Sequence, residues 1–254
     1  VTSTSNSSYT DTSDSNFTIT AVTANQSPTV GFTMTAQGKT SYENETLNLT
    51  VASGQTVSVS FSASRSSDSD GSIASYKWYI NGTTVSTSRD FSYDLGSGTH
   101  QIYLEVWDNL SSKSAVGATV SITSVSVSYQ GHFANTSWGS WVSNGATCGT
   151  PGGNQMEAIR ITTSSYGIQY RAHVADYGWL SWVSNGAEAG TTGQSKSLQA
   201  IEIKLTSAPS NLHVSYRVYV HGQGWQGWVS DGSTAGITVQ GLAVEAIEIK
   251  LQNW

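Results

Sequence analysis

Five histidines, seventeen carboxylates and one cysteine are the groups through which this 254-residue chain could do acid–base, nucleophilic or metal chemistry. Their spacing offers little of it. No G-x-S-x-G, H-E-x-x-H or phosphate-binding glycine loop is present. His132 and His173 share one position in a sequence repeat, and Tyr219 fills it in the next copy. An aromatic strand position explains that pattern better than a metal ligand. Glycosidase chemistry needs two fixed acids across a cleft. Here Glu202 and Glu248 sit at one repeated strand position, with Arg160 in the equivalent place, as on a solvated face. The chain is expected to be non-catalytic. The acids with a spacing of their own are Asp68 and Asp70, two carboxylates on one turn, with Asp108 in a later loop. Hard oxygen donors of this kind suit Ca²⁺, the one cofactor the sequence offers a site for, and none is required by any other motif.

Tryptophan carries the stronger signal. Tyr129, Tyr170 and Tyr216 each stand nine residues before Trp138, Trp179 and Trp225, and a second indole follows three residues later at Trp141, Trp182 and Trp228. Asn144-Gly145, Asn185-Gly186 and Asp231-Gly232 come next, dipeptides that favour hairpin turns. Each copy closes on Ala-Ile-Arg/Glu-Ile with strand alternation, and the first Trp recurs after 41 and then 46 residues. In an extended strand residues i and i+3 face opposite ways. At least one indole per repeat is therefore expected in the core. Trp138, Trp179 and Trp225, beside Asn144, Asn185 and Asp231, form the candidate glycan-binding positions, with ring faces for stacking and polar groups for hydroxyls. Three copies would add avidity.

The G-W-x-x-W-V-S-N/D-G core followed by A-I-E-I-K-L resembles the clostridial hydrophobic W (ChW) repeats of bacterial surface and secreted proteins. Repeat one departs from it at Ser137 and Arg160. The resemblance implies an extracellular, non-catalytic module with adhesive or glycan-binding roles. One repeat of this length cannot bury its own apolar face, so three must share a core. Residues 125–254 are expected to form one pseudo-threefold domain, with a β-prism favoured over a β-trefoil.

Upstream, short alternating segments such as TVSVSFSA, SYKWYING and HQIYLEVWD are separated by the turn clusters SSDSDGS, LGSGT and DNLSS. This is the pattern of a β-sandwich over residues 26–124. The run from Phe61 through Asp68-Ser-Asp70-Gly71, Tyr76-Lys-Trp78 and Gly98 to Asp108 resembles a PKD (polycystic kidney disease) domain, although Trp78-Tyr-Ile-Asn-Gly82 stands where that family has W-x-F-G-D-G. That resemblance implies an Ig-like sandwich acting as spacer or binding module, with Trp78 in its core. The fold class expected is all-β throughout.

Composition narrows the partners. The net charge of −6 argues against nucleic acid, which needs a basic face, and against an anionic membrane surface. No apolar run is long enough to span a membrane. Cys148 alone excludes an intrachain disulfide and a multi-cysteine zinc site. The sequence opens without Met or leader, as expected of a mature product. Ser and Thr make up 73 residues, enough to generate many sequons by chance. Eight of thirteen asparagines nonetheless begin one: Asn6, Asn16, Asn25, Asn44, Asn48, Asn81, Asn109 and Asn135. They are candidate glycosylation sites of an extracellular or cell-surface protein. Residues 1–25 read as a Ser/Thr-rich tail in which residues 16–24 alternate as a strand. That strand needs a partner, within the chain or in a neighbour's sheet, which would make self-assembly into a fibre its use. The expected function is structural or adhesive; the alternative is a pair of carbohydrate-binding modules from a larger secreted enzyme.

Overall fold

The computed structural model describes residues 24–254, and every regular element among them is a strand. The tail strand expected at 16–24, all but its last residue, and the sequons at Asn6 and Asn16 lie outside the described residues.

The first unit runs through β1 (Thr33–Ala36), β2 (Lys39–Tyr42), β3 (Thr46–Ala52), β4 (Val57–Ser62), β5 (Ile73–Ile80), β6 (Thr83–Ser86), β7 (Asp90–Leu95), β8 (Gly98–Asp108) and β9 (Lys113–Val125). They form two sheets, ordered β2-β1-β4-β7 and β3-β9-β8-β5-β6. The pairing of β3 with β9 is parallel and every other pair is antiparallel. Alternation puts one side chain in two between the sheets. In β4 these are Val59 and Phe61, and in β8 Ile102, Leu104 and Val106. Trp78 is fully buried at the centre. Phe32, Phe61 and Phe91 pack on its ring at 5.2–5.8 Å, and its Nε1 donates to Ser88 O at 3.0 Å. The sandwich and its core tryptophan are thus as the sequence led us to expect.

The second unit repeats one plan three times. Repeat one contributes β10 (Val127–Phe133), β11 (Val142–Ser143), β12 (Cys148–Gly149) and β13 (Met156–Thr163). Repeat two contributes β14 (Gly167–Val174), β15 (Gly178–Trp179), β16 (Val183–Ser184), β17 (Ala189–Gly190) and β18 (Leu198–Thr206). Repeat three contributes β19 (Leu212–Val220), β20 (Gly224–Trp225), β21 (Val229–Ser230), β22 (Ala235–Gly236) and β23 (Val244–Asn253). Each repeat's two long strands pair antiparallel and break register at the same place: His132/Phe133, His173/Val174 and Tyr219/Val220. The result is three separate sheets facing one core, the prism rather than the trefoil.

Each sheet is completed by a strand from another repeat. β17 of repeat two pairs with β13, β22 of repeat three pairs with β18, and β12 of repeat one pairs with β23. The last exchange closes the ring, because the first repeat finishes the sheet of the third. The core tyrosines follow the same cycle. Ile161 N donates to the Tyr170 hydroxyl at 3.0 Å, Ile203 N to that of Tyr216 at 2.9 Å, and Ile249 N to that of Tyr129 at 2.9 Å. Each hydroxyl donates in turn to a carbonyl of its own repeat: Ala146, Ala187 or Ser233. Every buried phenol is thereby satisfied on both sides of a seam.

The two units are tied together. β9 leads into β10 through one residue, and Ala52 and Val125 are buried in the prism's apolar cluster. The Asn253 side chain accepts from Ala52 N at 2.7 Å, and the hydroxyls of Thr50 and Tyr166 bond at 3.1 Å. Cys148 is buried within the prism, and loss of hydration pushes its thiol up to about 11.

Candidate functional site: aromatic rims and an acidic loop cluster

Two regions bring chemistry-bearing side chains together. The first is the outer face of each prism sheet. Trp138, Trp179 and Trp225 lie directly across the ladder from His132, His173 and Tyr219. Their rings meet edge to face at 5.3–5.7 Å. Since Tyr129, Tyr170 and Tyr216 point inward, residues three further on point outward, and the facing indoles go with them. The second indoles, Trp141, Trp182 and Trp228, are also outside the core; Trp141 is 47% exposed and Trp228 39%.

This corrects the expectation of one core tryptophan per repeat. Among the described residues Trp78 is the one fully buried tryptophan. The i, i+3 argument assumed one continuous strand. Instead the chain leaves the extended state between the two indoles and re-enters it at Val142, Val183 or Val229, which resets the alternation. The tyrosines fill the core volume in their place.

The rims are built as stacks. The Arg171 guanidinium lies over Trp179 at 4.7 Å and Trp182 at 5.0 Å, and Lys204 Nζ lies over Trp182 at 4.4 Å. Repeat three matches: Arg217 over Trp225 at 4.6 Å and Trp228 at 4.9 Å, with Lys250 over Trp228 at 4.2 Å. Each arginine is held by the glutamate across the ladder, Glu202 at 2.7 Å or Glu248 at 2.8 Å. In repeat one Gln130 replaces the arginine, and Arg160 replaces the glutamate and stacks on Trp138 at 4.1 Å. The neighbouring repeat compensates for the swap. Glu188 bonds Arg160 at 3.3 Å, whereas Thr147 and Thr234 occupy that seam position against Glu248 and Glu202.

Asn144, Asn185 and Asp231 stand in the turns with φ of +52°, +44° and +49°. Their Oδ1 atoms accept from Val127 N, Ile168 N and Val214 N at 3.0–3.1 Å. These oxygens shape the turn. The second Oδ of Asp231 is bonded to His213 Nδ1 at 2.7 Å, and the His213 ring stacks on Trp254 at 4.2 Å.

The second region is the acidic loop cluster of the sandwich, which brings Asp68, Asp70 and Asp108 together. Asp108 is 2% exposed. Its Oδ1 accepts from Leu110 N and Ser112 N at 2.8 and 2.9 Å, and its Oδ2 accepts from Asn25 Nδ2 at 2.9 Å. Burial alone would raise its pKa, but these donors hold it below the usual carboxylate value. Asp70 accepts from Gln26 N at 3.0 Å, and Asn109 Oδ1 from Ser72 N at 2.9 Å. Three oxygens are left over: both of Asp68 and Oδ1 of Asn25 are out of contact with water and have no donor. Loss of hydration, followed by the charges of Asp70 and Asp108, raises the Asp68 pKa. Asn109 Oδ1 and Asp68 Oδ2 crowd Gly71 so closely that a Cβ there would lie 2.2 and 2.6 Å from them. Among the described residues no three of His, Cys, Asp and Glu form a metal-holding group. The oxygens in these loops left free for a hard cation are those of Asp68, with Asp70 beside it, and the Asn25 amide oxygen. Sequence reading took Asn25 for a sequon and missed its place among these loops; the signal was only that an amide precedes the first strand. Its Nδ2 is committed to Asp108 and to Ser112 Oγ at 2.7 Å. Asn44, Asn48, Asn81, Asn109 and Asn135 are exposed.

Adding Ca²⁺ at a hundredfold excess over Kd is expected to stabilise this chain by about 2.7 kcal/mol, read as a rise in its thermal midpoint, and Asp68→Asn to abolish the response. Without the cation, stability is expected to fall as pH rises from the ordinary carboxylate range through the raised pKa of Asp68. In that window the folded state binds the extra proton. Calcium should flatten that slope; melts across pH with and without chelator read both effects.

Comparison with known proteins accords with the repeat plan. The family model described as ChW: Clostridial hydrophobic W matches residues 132–163, 173–207 and 219–253. No curated protein matches the chain. Among solved structures, the PKD1 domain of Vibrio anguillarum Epp aligns at 22% identity and a TM-score of 0.30, covering 40% of this chain and 99% of that domain. A carbohydrate-binding module of the β-sandwich superfamily aligns at 15% identity and a TM-score of 0.32, covering 91% of this chain and 93% of the other. The structural cycle of three sheets, three tyrosines and three paired indoles coincides with those matched segments, and the chain carries three clostridial hydrophobic W repeats.

Proposed function

We propose that this chain is a non-catalytic extracellular adhesion module. In this reading the outer rims of the prism hold surface glycans, and the sandwich is an arm stiffened by calcium. The observation that carries it is the placement of all six repeat tryptophans outside the core on three matching faces. Large aromatic side chains gathered at a surface mark contact with a ligand. The clamp of Asn253 and Tyr166 on the third strand supports the arm, since it fixes prism to sandwich. Asp68, Asp70 and Asn25 would hold the cation, which would supply charge neutralisation to otherwise orphaned oxygens. No described helix is long and apolar enough to cross a membrane. The fibre reading rests on residues 16–24, of which 16–23 lie outside the described region.

Retention on immobilised cell-wall polysaccharide tests the proposal. The triple variant Trp141→Ala, Trp182→Ala, Trp228→Ala should keep its sheets, because none of these rings is in the core. It should lose at least about tenfold in retention, as linked weak contacts do when removed together. Equal retention of the variant and the parent chain would sink the reading.

A further inference from the structure

The three repeats serve as controls for one another, and one of them is incomplete. In repeats two and three the second indole has two cations of the chain's own against it: Arg171 and Lys204 on Trp182, Arg217 and Lys250 on Trp228. The equivalent positions in repeat one are Gln130 and Thr162, which carry no charge. The one arginine of that face, Arg160, stacks on Trp138 and pairs with Glu188. Among the described residues no cation lies over Trp141, and at 47% it is the most exposed of the three second indoles. Residues 1–23 contain neither Lys nor Arg to supply one.

We infer that Trp141 is a receptor for a cationic amine on the ligand, and that the ligand is a glycan bearing free amino groups. The seat is defined by the framework, since the sheet position that Thr162 fills in repeat one holds Lys204 over Trp182 and Lys250 over Trp228 in the other two. The presence of Arg160 does not exclude a further positive charge, because each of the other faces accommodates two around its pair of rings. With Arg160 neutralised by Glu188, repeat one has one net positive charge fewer than its siblings, and an incoming ammonium would restore the pattern. The chain as a whole, at −6, attracts such a ligand. An ammonium over an exposed indole face gains from the ring quadrupole without needing a carboxylate. Thr162, half-buried on the same face, is the side chain left to meet a hydroxyl of the sugar ring, while Gln130 is buried beneath it. This inference rests on the reading that the rims bind glycans and adds the class of glycan.

The test uses the full chain and three probes in mildly acidic buffer, followed by indole NMR shifts and by calorimetry. The probes are a glucosamine hexamer, its fully N-acetylated counterpart and a lysine-containing peptide of similar length. The free-amine hexamer should bind roughly three- to thirty-fold more tightly than the acetylated one, the range expected of one cation–π contact. Trp141→Ala should remove that preference. Thr162→Lys should remove it too while leaving the ring in place, because the new side chain would occupy the seat as Lys204 does in repeat two. If both hexamers bind equally, the cationic seat is wrong while the glycan reading stands. If only the peptide binds, both fall. If Thr162→Lys binds the free amine as the parent does, the seat is not over Trp141.

Discussion

Replacing Tyr216 with Phe is expected to destabilise the prism by about 2–4 kcal/mol, although only one oxygen is removed. That oxygen accepts from Ile203 N at 2.9 Å and donates to Ser233 O, so its loss strands a buried donor and a buried acceptor together. Each orphaned group costs about 1–3 kcal/mol. The ring itself stays, so no cavity contributes. Tyr170→Phe should behave alike, and Tyr129→Phe should open the seam between the first and third repeats. Burial pushes the Tyr129 hydroxyl up to about 12 and that of Tyr216 higher still. Neither phenol therefore ionises at neutral pH, and the loss should be the same across that range. Urea unfolding measures it; a change below about 1 kcal/mol would mean the seams are held by something else.

The glycines of the exchanged strands should be less forgiving still. Gly149, Gly190 and Gly236 have φ of +97°, +119° and +110°, where L side chains are strained. A Cβ at Gly190 would lie 2.3 Å from the Glu157 carbonyl oxygen and 2.6 Å from Ala158 Cα, both backbone atoms of β13, the strand with which β17 pairs. It cannot be relieved by a rotamer change, so β17 must lift off β13. Gly190→Ala is expected to cost more than about 3 kcal/mol, among the larger single-residue effects. Gly193→Ala is the control: φ is +69° but nothing lies within 4 Å of its Cβ. It should lose only the conformational penalty, about 1–2 kcal/mol. Equal effects at the two glycines would show that strand exchange does not require the close approach.

The repeat organisation was legible because each copy must solve the same packing problem with the same residues. The tyrosines, the closing Ala-Ile-Arg/Glu-Ile strands and the turn dipeptides recur at matching places, and the structure uses them in matching ways. The sandwich was legible from alternation and from Trp78. The exchange of β12, β17 and β22 was not, since two-residue strands carry no periodicity to read. The indoles were misplaced for a related reason. Alternation holds only within a strand, and the irregular residues between Trp138 and Trp141 break it. Asn144, Asn185 and Asp231 were read as glycan contacts from their chemistry, yet left-handed turns need those residue types for their own geometry. A signal was missed in the cations. Arg171 and Arg217, with Lys204 and Lys250, recur at fixed distances from the indoles, and their absence from repeat one stands in the sequence itself. The pairing of Asp68 and Asp70 on one turn stands in the spacing, whereas Asn25 joins these loops only through the fold, bonding Asp108 from 83 positions away.

The most direct test of the central claim is to titrate the ¹⁵N-indole-labelled chain with cell-wall polysaccharide fragments and follow its nine tryptophan side-chain resonances. The account predicts shifts at Trp141, Trp182 and Trp228, smaller ones at Trp138, Trp179 and Trp225, and none at buried Trp78. Saturating binding that leaves the six repeat indoles unmoved would contradict it.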